Sequence, residues 1–255
     1  NKYIVIHIFD FLSNSIGIKN YGLIILLLTL IIKISLSPLT YKSYLSQAKM
    51  KVLKPEIDKI TEKYKKKDPM RSQKETMSLY RKAGVNPMGG CLPMLVQFPI
   101  LIAMFRFFPS SIELRQKSFL WADDLSAFDS ISALQWQEGA IPFLDTIYGH
   151  HISIFTSLMT VSTLIYTRMN SQMSSTQMPG MKLMMYLMPI MFLGFFNSYA
   201  SSLTFYYFLA NIFTFSQMYF MRKFVDDKAI LAQLEANKKK PPKPKSRFQK
   251  KLEEM

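Results

Sequence analysis

YGLIILLLTLIIKISLSPL, residues Tyr21 to Leu39, is long enough to span a bilayer and carries a single charge, Lys33. A spanning helix needs about 20 mostly apolar residues. A cation near the middle of one costs roughly 2.5 to 3.5 kcal/mol on insertion scales, so an ionisable residue there points to a functional site. A passive reading stands beside this one. Lys33 precedes Lys42 by nine residues, about 13 Å at the helical rise, so its amine can also snorkel to the nearer interface. The stretch alone leaves both readings open, and the rest of the chain decides between them.

The chain has 255 residues, 49% of them hydrophobic, and a formal net charge of +15. Such a balance fits a basic soluble protein or a membrane protein with charged loops, and the distribution of charge separates the two. The apolar runs between Pro87 and Asn211 hold almost no charge, while the basic residues crowd into two blocks. A nucleic-acid-binding domain would interleave aromatics with Lys and Arg; here the aromatics lie in the apolar runs. Cys91 is the single cysteine, which excludes an internal disulfide and a cysteine-rich metal site. Residues 1 to 20 lack the basic start and apolar core of a signal peptide, and the first residue is Asn1, so the chain is expected to have lost an N-terminal portion.

Working outward, Ile4, Ile8, Phe11, Leu12 and Ile16 recur at helical spacing before Gly17, which predicts an extracytoplasmic amphipathic helix over residues 1–20 lying on the membrane surface. His7 falls at the edge of that face, as an ordinary interfacial histidine. The first span follows, over 21–39, ended by Pro38. From Tyr41 to Val85 the chain is polar and basic, yet Met50, Leu53, Ile57, Ile60 and Tyr64 keep a three-four spacing. The run KKKDPMRS breaks this helix. A second, from about Arg71 to Ala83, presents Met77 and Tyr80 and stops at Gly84, giving a helical hairpin over 41–85. Pro55 either kinks the first arm or marks the start of its packed part. Such a two-helix unit is too small for its own core, so its stripe is expected to rest on lipid or a partner and the hairpin to move relative to the spans.

Further spans are predicted at about 87–108, 152–167, 181–196 and 203–221, making an all-α membrane protein with five transmembrane helices. The second span contains Pro93, Pro99 and Gln97. Phe119, Trp121 and Trp136, in the loop 109–150, suit a membrane interface. The fifth span carries Tyr206, Tyr207, Asn211, Thr214 and Gln217, an unusual polar content for a lipid-exposed helix. Residues 224–255 read as a basic, largely disordered tail containing KKKPPKPKSR. Lys and Arg number 13 in the loop 42–86, two in 109–150 and 11 from residue 222 onward. The positive-inside rule therefore puts the hairpin and the tail in the cytoplasm and the N-terminus of the chain outside.

Three His, one Cys, no acidic residue in any span and no glycine-rich phosphate loop leave nothing that resembles a catalytic pair, so the chain is read as a non-enzyme without cofactor or metal. A coupled transporter usually carries several intramembrane ionisable groups and a repeat architecture. Here Lys33 has no carboxylate in the spans, which implies a water-accessible, polar-lined recess whose anion arrives from outside.

NPMGGCLPMLVQFPI, from Asn86 to Ile100, closely resembles the signature of the YidC membrane protein insertases of the Oxa superfamily. KISLSPLT, IELRQKSFLWADDLSAFD and SSLTFYYFLAN resemble that family's further blocks in the same order, so the likeness runs from about residue 20 to 223. It implies a five-helix core, a cytoplasmic hairpin and a hydrophilic groove open to cytoplasm and lipid but closed outside. It also implies insertion of nascent membrane proteins into the lipid bilayer, alone or with the Sec translocon, with cytoplasmic loops and tail contacting ribosomes and the monomer as the active form. Gram-negative members carry an additional N-terminal span and a large periplasmic domain, and the chain's location would be the bacterial inner membrane. By position, the family's groove arginine falls on Lys33, its groove threonine on Thr29 and its substrate-contacting tyrosine on Tyr207. Lys33 departs from the usual Arg, losing the planar fork and the fixed charge, and Ser202 stands where a Gly is common.

Gln97, Asn211 and Gln217 are read either as helix-packing groups or as groove lining. The basic residues after Asn237, namely Lys238, Lys239, Lys240, Lys243, Lys245 and Arg247, are expected to contact polyanions such as ribosomal RNA or acidic lipid. Two other readings stay open: a small-anion channel or transporter using Lys33, and an assembly chaperone that packs spans without inserting them.

Overall fold

The computed structural model describes residues 5–15, 17–64, 68–86, 89, 92–131, 135–137, 148–173 and 181–239. They are almost wholly helical. In chain order the helices are α1 (Val5–Asp10), α2 (Tyr21–Ser35), α3 (Ser37–Val52), α4 (Lys54–Tyr64), α5 (Pro69–Ala83), α6 (Leu92–Ser110), α7 (Ile154–Met173), α8 (Met181–Asn197), α9 (Ser201–Phe224) and α10 (Asp227–Lys238). Helix α9 is central, packing on α7 and α2 and more lightly on α6, and α8 packs on α7. The main core gathers Ile24, Ile25 and Leu28 of α2, Met104 and Phe108 of α6, Phe155 of α7, and Leu203 and Tyr206 of α9, all almost fully buried.

The stretch 21–39 is not one straight helix ended at Pro38. Helix α2 ends at Ser35, and Pro38 sits in the first turn of α3, with a bend of 60° between the two. Proline supplies no N–H, and inside a helix its ring collides with the carbonyl four residues back. The break therefore falls ahead of the proline, at Leu36, and proline's fixed φ then suits the opening of the next helix. Among the described residues no single helix is long and apolar enough to cross a membrane, whereas the bent pair α2–α3 together is.

At the N-terminus the buried side chains are Val5, Phe9 and Leu12, one residue out of phase with the expected face, and Phe11 is 58% exposed. Phe9 sets the phase by packing on Phe107 and Tyr21 at ring distances of 5.4 and 6.0 Å, and a π-turn over Phe11–Ser15 offsets the residues after it. Ile4 and Ile16 lie outside the described residues, and Gly17, at φ 72°, takes the left-handed conformation expected of a terminator. In the loop after α6, Phe119 and Trp121 turn inward onto Phe205 and Phe155 rather than outward to an interface.

The tail also departs from expectation. It is helical from Asp227 to Lys238, capped by Asp226, whose carboxylate accepts from the Lys228 amide at 2.8 Å. Helix α10 lies on the hairpin, where Ile230 and Leu234 join Met50, Leu53, Ile57, Tyr80 and Ala83 in a second core. The hairpin's stripe is thus covered by the chain's own tail, and Lys51 and Lys238 pair with Asp227 and Glu56 on either side of the apolar contact. Ile60, Tyr64 and Met77 are only half-buried. The arms themselves form as expected. Asp68 caps α5 by accepting from Arg71 N at 3.0 Å, Gly84 ends it at φ 70°, and the first arm restarts at Lys54, just ahead of Pro55.

Gly22 gives a first test. A β-carbon there would collide with the Phe119 ring, so Gly22→Ala forces that ring out of the core. Overpacking of this kind costs about 1 to 3 kcal/mol, read as a lower thermal midpoint in detergent.

Candidate substrate groove

Tyr207, Asn211, Thr214 and Gln217 follow one another along α9 at spacings of four, three and three residues, which lines them up on one side of the helix. That side meets α2 and α7, and the three helices enclose a polar seam inside an otherwise apolar bundle. Asn211 donates to Ser162 Oγ and Thr163 Oγ1 of α7, both at 2.9 Å. Toward the elbow between α2 and α3, Gln217 donates to the Lys33 carbonyl and to Ser37 Oγ, both at 3.0 Å.

Lys33 is half-buried, and its ammonium donates to Thr214 Oγ1 at 3.0 Å. No ion pair among the described residues includes it. The charge thus rests on a neutral hydroxyl, a weaker partner than a carboxylate. Thr214 and Gln217 hold Lys33 at both ends, one by its amine and the other by its carbonyl. That carbonyl belongs to the last turn of α2, whose acceptors have no further helix to bond once the chain bends at Leu36. Gln217→Leu leaves that carbonyl to the Ser37 hydroxyl alone, which donates to it at 3.3 Å, and loss of the two Gln217 bonds costs about 1 to 3 kcal/mol. The expected readout is a broadened distance between spin labels on α4 and α7 in a Cys91→Ala background.

Not every expected residue joins the seam. Thr29 is fully buried, and its hydroxyl donates to the Ile25 carbonyl at 2.6 Å, within its own helix. Gln97 on α6 is half-buried and approaches the Tyr206 hydroxyl without completing a hydrogen bond. The hydroxyls of Tyr206 and Tyr207 are buried with no hydrogen-bond partner among the described residues, and such groups are uncommon enough to require an explanation. Lys238 and Lys239 are at the end of α10, Lys238 paired with Glu56. Lys240, Lys243, Lys245 and Arg247 lie outside the described residues.

Ser37, Ser162 and Thr163 complete the seam and were not expected from the sequence. The hydroxyl-rich run Thr160, Ser162, Thr163 in the third apolar stretch was the available signal. A seam of this kind offers neutral donors and acceptors beside a cation. It can solvate a polar chain inside a bilayer and attract an acidic one. Among the described residues no cluster of His, Cys, Asp and Glu could hold a metal ion.

The family described as 60Kd inner membrane protein matches residues 11–228. The chain is 55% identical over its whole length to the membrane protein insertase YidC of Parabacteroides distasonis and covers 40% of that protein. It is 50% identical to the YidC of Amoebophilus asiaticus, over 94% of this chain and 38% of the relative. It therefore spans about two fifths of the length of these relatives. Among solved structures, the crystal structure of an active YidC insertase with its first transmembrane domain resolved aligns with a TM-score of 0.58 at 27% identity, over 85% of this chain and 45% of that one.

Proposed function

The chain belongs to the 60Kd inner membrane protein family, and on that premise we propose that it is the core of an insertase that moves hydrophilic tails and apolar segments of nascent membrane proteins into the bilayer along the polar seam. Five spans, α2, α6, α7, α8 and α9, cross the bacterial inner membrane. The hairpin and α10 are cytoplasmic and α1 is outside, in keeping with the basic residues of the loop 42–86 and of the tail. The exposed apolar side chains Leu95, Phe98 and Ile102 of α6, with Leu183, Met184 and Met191 of α8, face lipid. The short spans fit a bilayer that is locally thinned.

One observation carries this reading: the cation of the first span, Lys33, rests on the neutral Thr214 hydroxyl within a seam of uncharged polar groups. A client carboxylate can exchange with that hydroxyl without breaking a resident ion pair. Tyr207 continues the same side of α9 one turn before Asn211. The process needs no bond chemistry, in keeping with a non-enzymatic insertase. The Sec translocon is a partner for longer clients, and ribosomes dock through the hairpin and the basic residues from Lys238 through Arg247, while one copy of the chain suffices.

Reconstitution in lipid vesicles with a short single-span client tests the function. Protease protection of the client's N-terminal tail is the expected result. Client crosslinking without protection would favour a non-inserting assembly chaperone, and anion flux without client a channel.

A further inference from the structure

Above the seam, on the side of α1, the loop 111–131 folds back over the first turns of α7 and α9. Its hydrogen bonds to α9 run from Ser201 N to the Ala127 carbonyl at 2.7 Å and from Ser202 N to the Leu125 carbonyl at 3.1 Å. Where this loop meets α7 it places a carboxylate, Asp129, that is 1% exposed. Asp129 Oδ2 accepts from Trp121 Nε1 at 2.8 Å and from Phe155 N at 2.9 Å, while Oδ1 accepts from Ser153 Oγ at 2.5 Å. Phe155 N is one of the donors that a helix leaves unsatisfied at its start, and a helix N-terminus also favours negative charge. Asp129 therefore caps α7 from a distant segment, and the same oxygen fixes the Trp121 indole.

That indole begins a row of rings. Trp121 lies 4.6 Å from Phe155, Phe155 lies 4.9 Å from Phe205, and Phe205 lies 5.1 Å from Phe119. Phe119 reaches its place over α2 because Gly22 has no side chain. Two residues after Phe205 on α9 comes Tyr207, the first member of the seam.

We propose that Asp129 is the positioning residue of an aromatic seal, formed by Phe119, Trp121, Phe155 and Phe205, that closes the outer end of the seam. The inference rests on the groove and orientation proposed above: if water enters the seam from the cytoplasm, this layer is what keeps the membrane tight. The role is geometric and not one of charge. In Asp129→Asn the amide oxygen takes the place of Oδ2 and accepts from Trp121 and Phe155. The new amide N–H donates to Ser153 Oγ, whose own proton turns to Thr156 Oγ1, already at 2.7 Å. Asp129→Ala leaves the indole N–H and the helix donor without an acceptor.

The test uses a single cysteine, Asn211→Cys in a Cys91→Ala background, in oriented proteoliposomes, with a membrane-impermeant thiol reagent added to one side at a time. With Asp129 intact, labelling occurs from the cytoplasmic side only. With Asp129→Ala, outer-side labelling accelerates by about tenfold or more, the shift in a closed-to-open equilibrium expected when a buried donor loses its acceptor, and Asp129→Asn behaves as the parent does. Trp121→Ala, which leaves the carboxylate two of its donors, opens the outer side as well and carries the test if Asp129→Ala does not fold. Outer-side silence in both alanine variants, with cytoplasmic labelling unchanged, would overturn the seal. An Asn variant as leaky as the Ala variant would overturn the geometric role. A parent that is unlabelled from the cytoplasmic side would instead remove the groove reading on which the seal depends.

Discussion

Lys33→Glu should abolish insertion of clients with acidic translocated tails, Lys33→Ala should impair it, and Lys33→Arg should preserve it. The ammonium sits beside Thr214 and away from any described carboxylate, so its attraction for a client's acid is not cancelled by a neighbour. In a hydrated recess with an effective dielectric near 20, such a pair contributes at most a few kcal/mol before desolvation is subtracted. That is enough to draw a tail in and too little to trap it. Arg keeps the charge and can still donate to Thr214, with a wider fork. Glu reverses the sign and repels the client. Clients with neutral tails should be much less affected by the Ala variant, and the helix should still insert, since removing the charge makes that span more apolar. The check is insertion of matched acidic and neutral clients by each variant at equal protein levels. Equal handling of both clients by Lys33→Ala and the unaltered chain would leave Lys33 as a snorkelling bystander.

Leu234→Asp should free α10 from the hairpin. Leu234 is 1% exposed and, with Ile230, supplies the apolar contact. Burying a leucine contributes about 1.5 to 3 kcal/mol, and a buried carboxylate without a partner costs more than the contact can supply. The Lys51–Asp227 pair does not compensate, because its side chains are 42% and 56% exposed and exposed pairs contribute about 0 to 1 kcal/mol. Isolated helices shorter than about 12 to 15 residues are marginal in water, so the 12 residues of α10 should unfold on release. Amide hydrogen exchange should then accelerate both in α10 and around Leu53 and Ile57. Unchanged exchange would mean that α10 is held by something other than its apolar contact.

Local chemistry was legible wherever it acts within a few residues. Gly84 and Asp68 bound α5, and the spacing of Tyr207, Asn211, Thr214 and Gln217 already placed a polar side on the last long helix. What escaped the sequence depends on distant partners. Ile230 and Leu234 lie in the short run AILAQL, which does not mark its buried face until the hairpin, some 150 to 180 positions earlier, is set against it. Thr29 and Lys33 are one turn apart, yet only Lys33 reaches the seam, because the direction of each side chain is fixed by the packing of α2 on α9. Nothing near Asp129 in the chain marks its role, since its donors come from Trp121 and from the start of a helix 24 to 26 residues later. The elbow at Leu36 was misplaced because Pro38 signals a boundary without saying on which side of it the helix breaks.

The central claim is that a client's hydrophilic tail travels along the polar side of α9, and disulfide trapping during insertion tests it most directly. A client with one cysteine in its tail should crosslink to Tyr207→Cys and Thr214→Cys, each made in a Cys91→Ala background, while its apolar segment is still entering the membrane. Crosslinks confined to the lipid-facing Leu183→Cys and Met191→Cys of α8, with none on α9, would contradict the account.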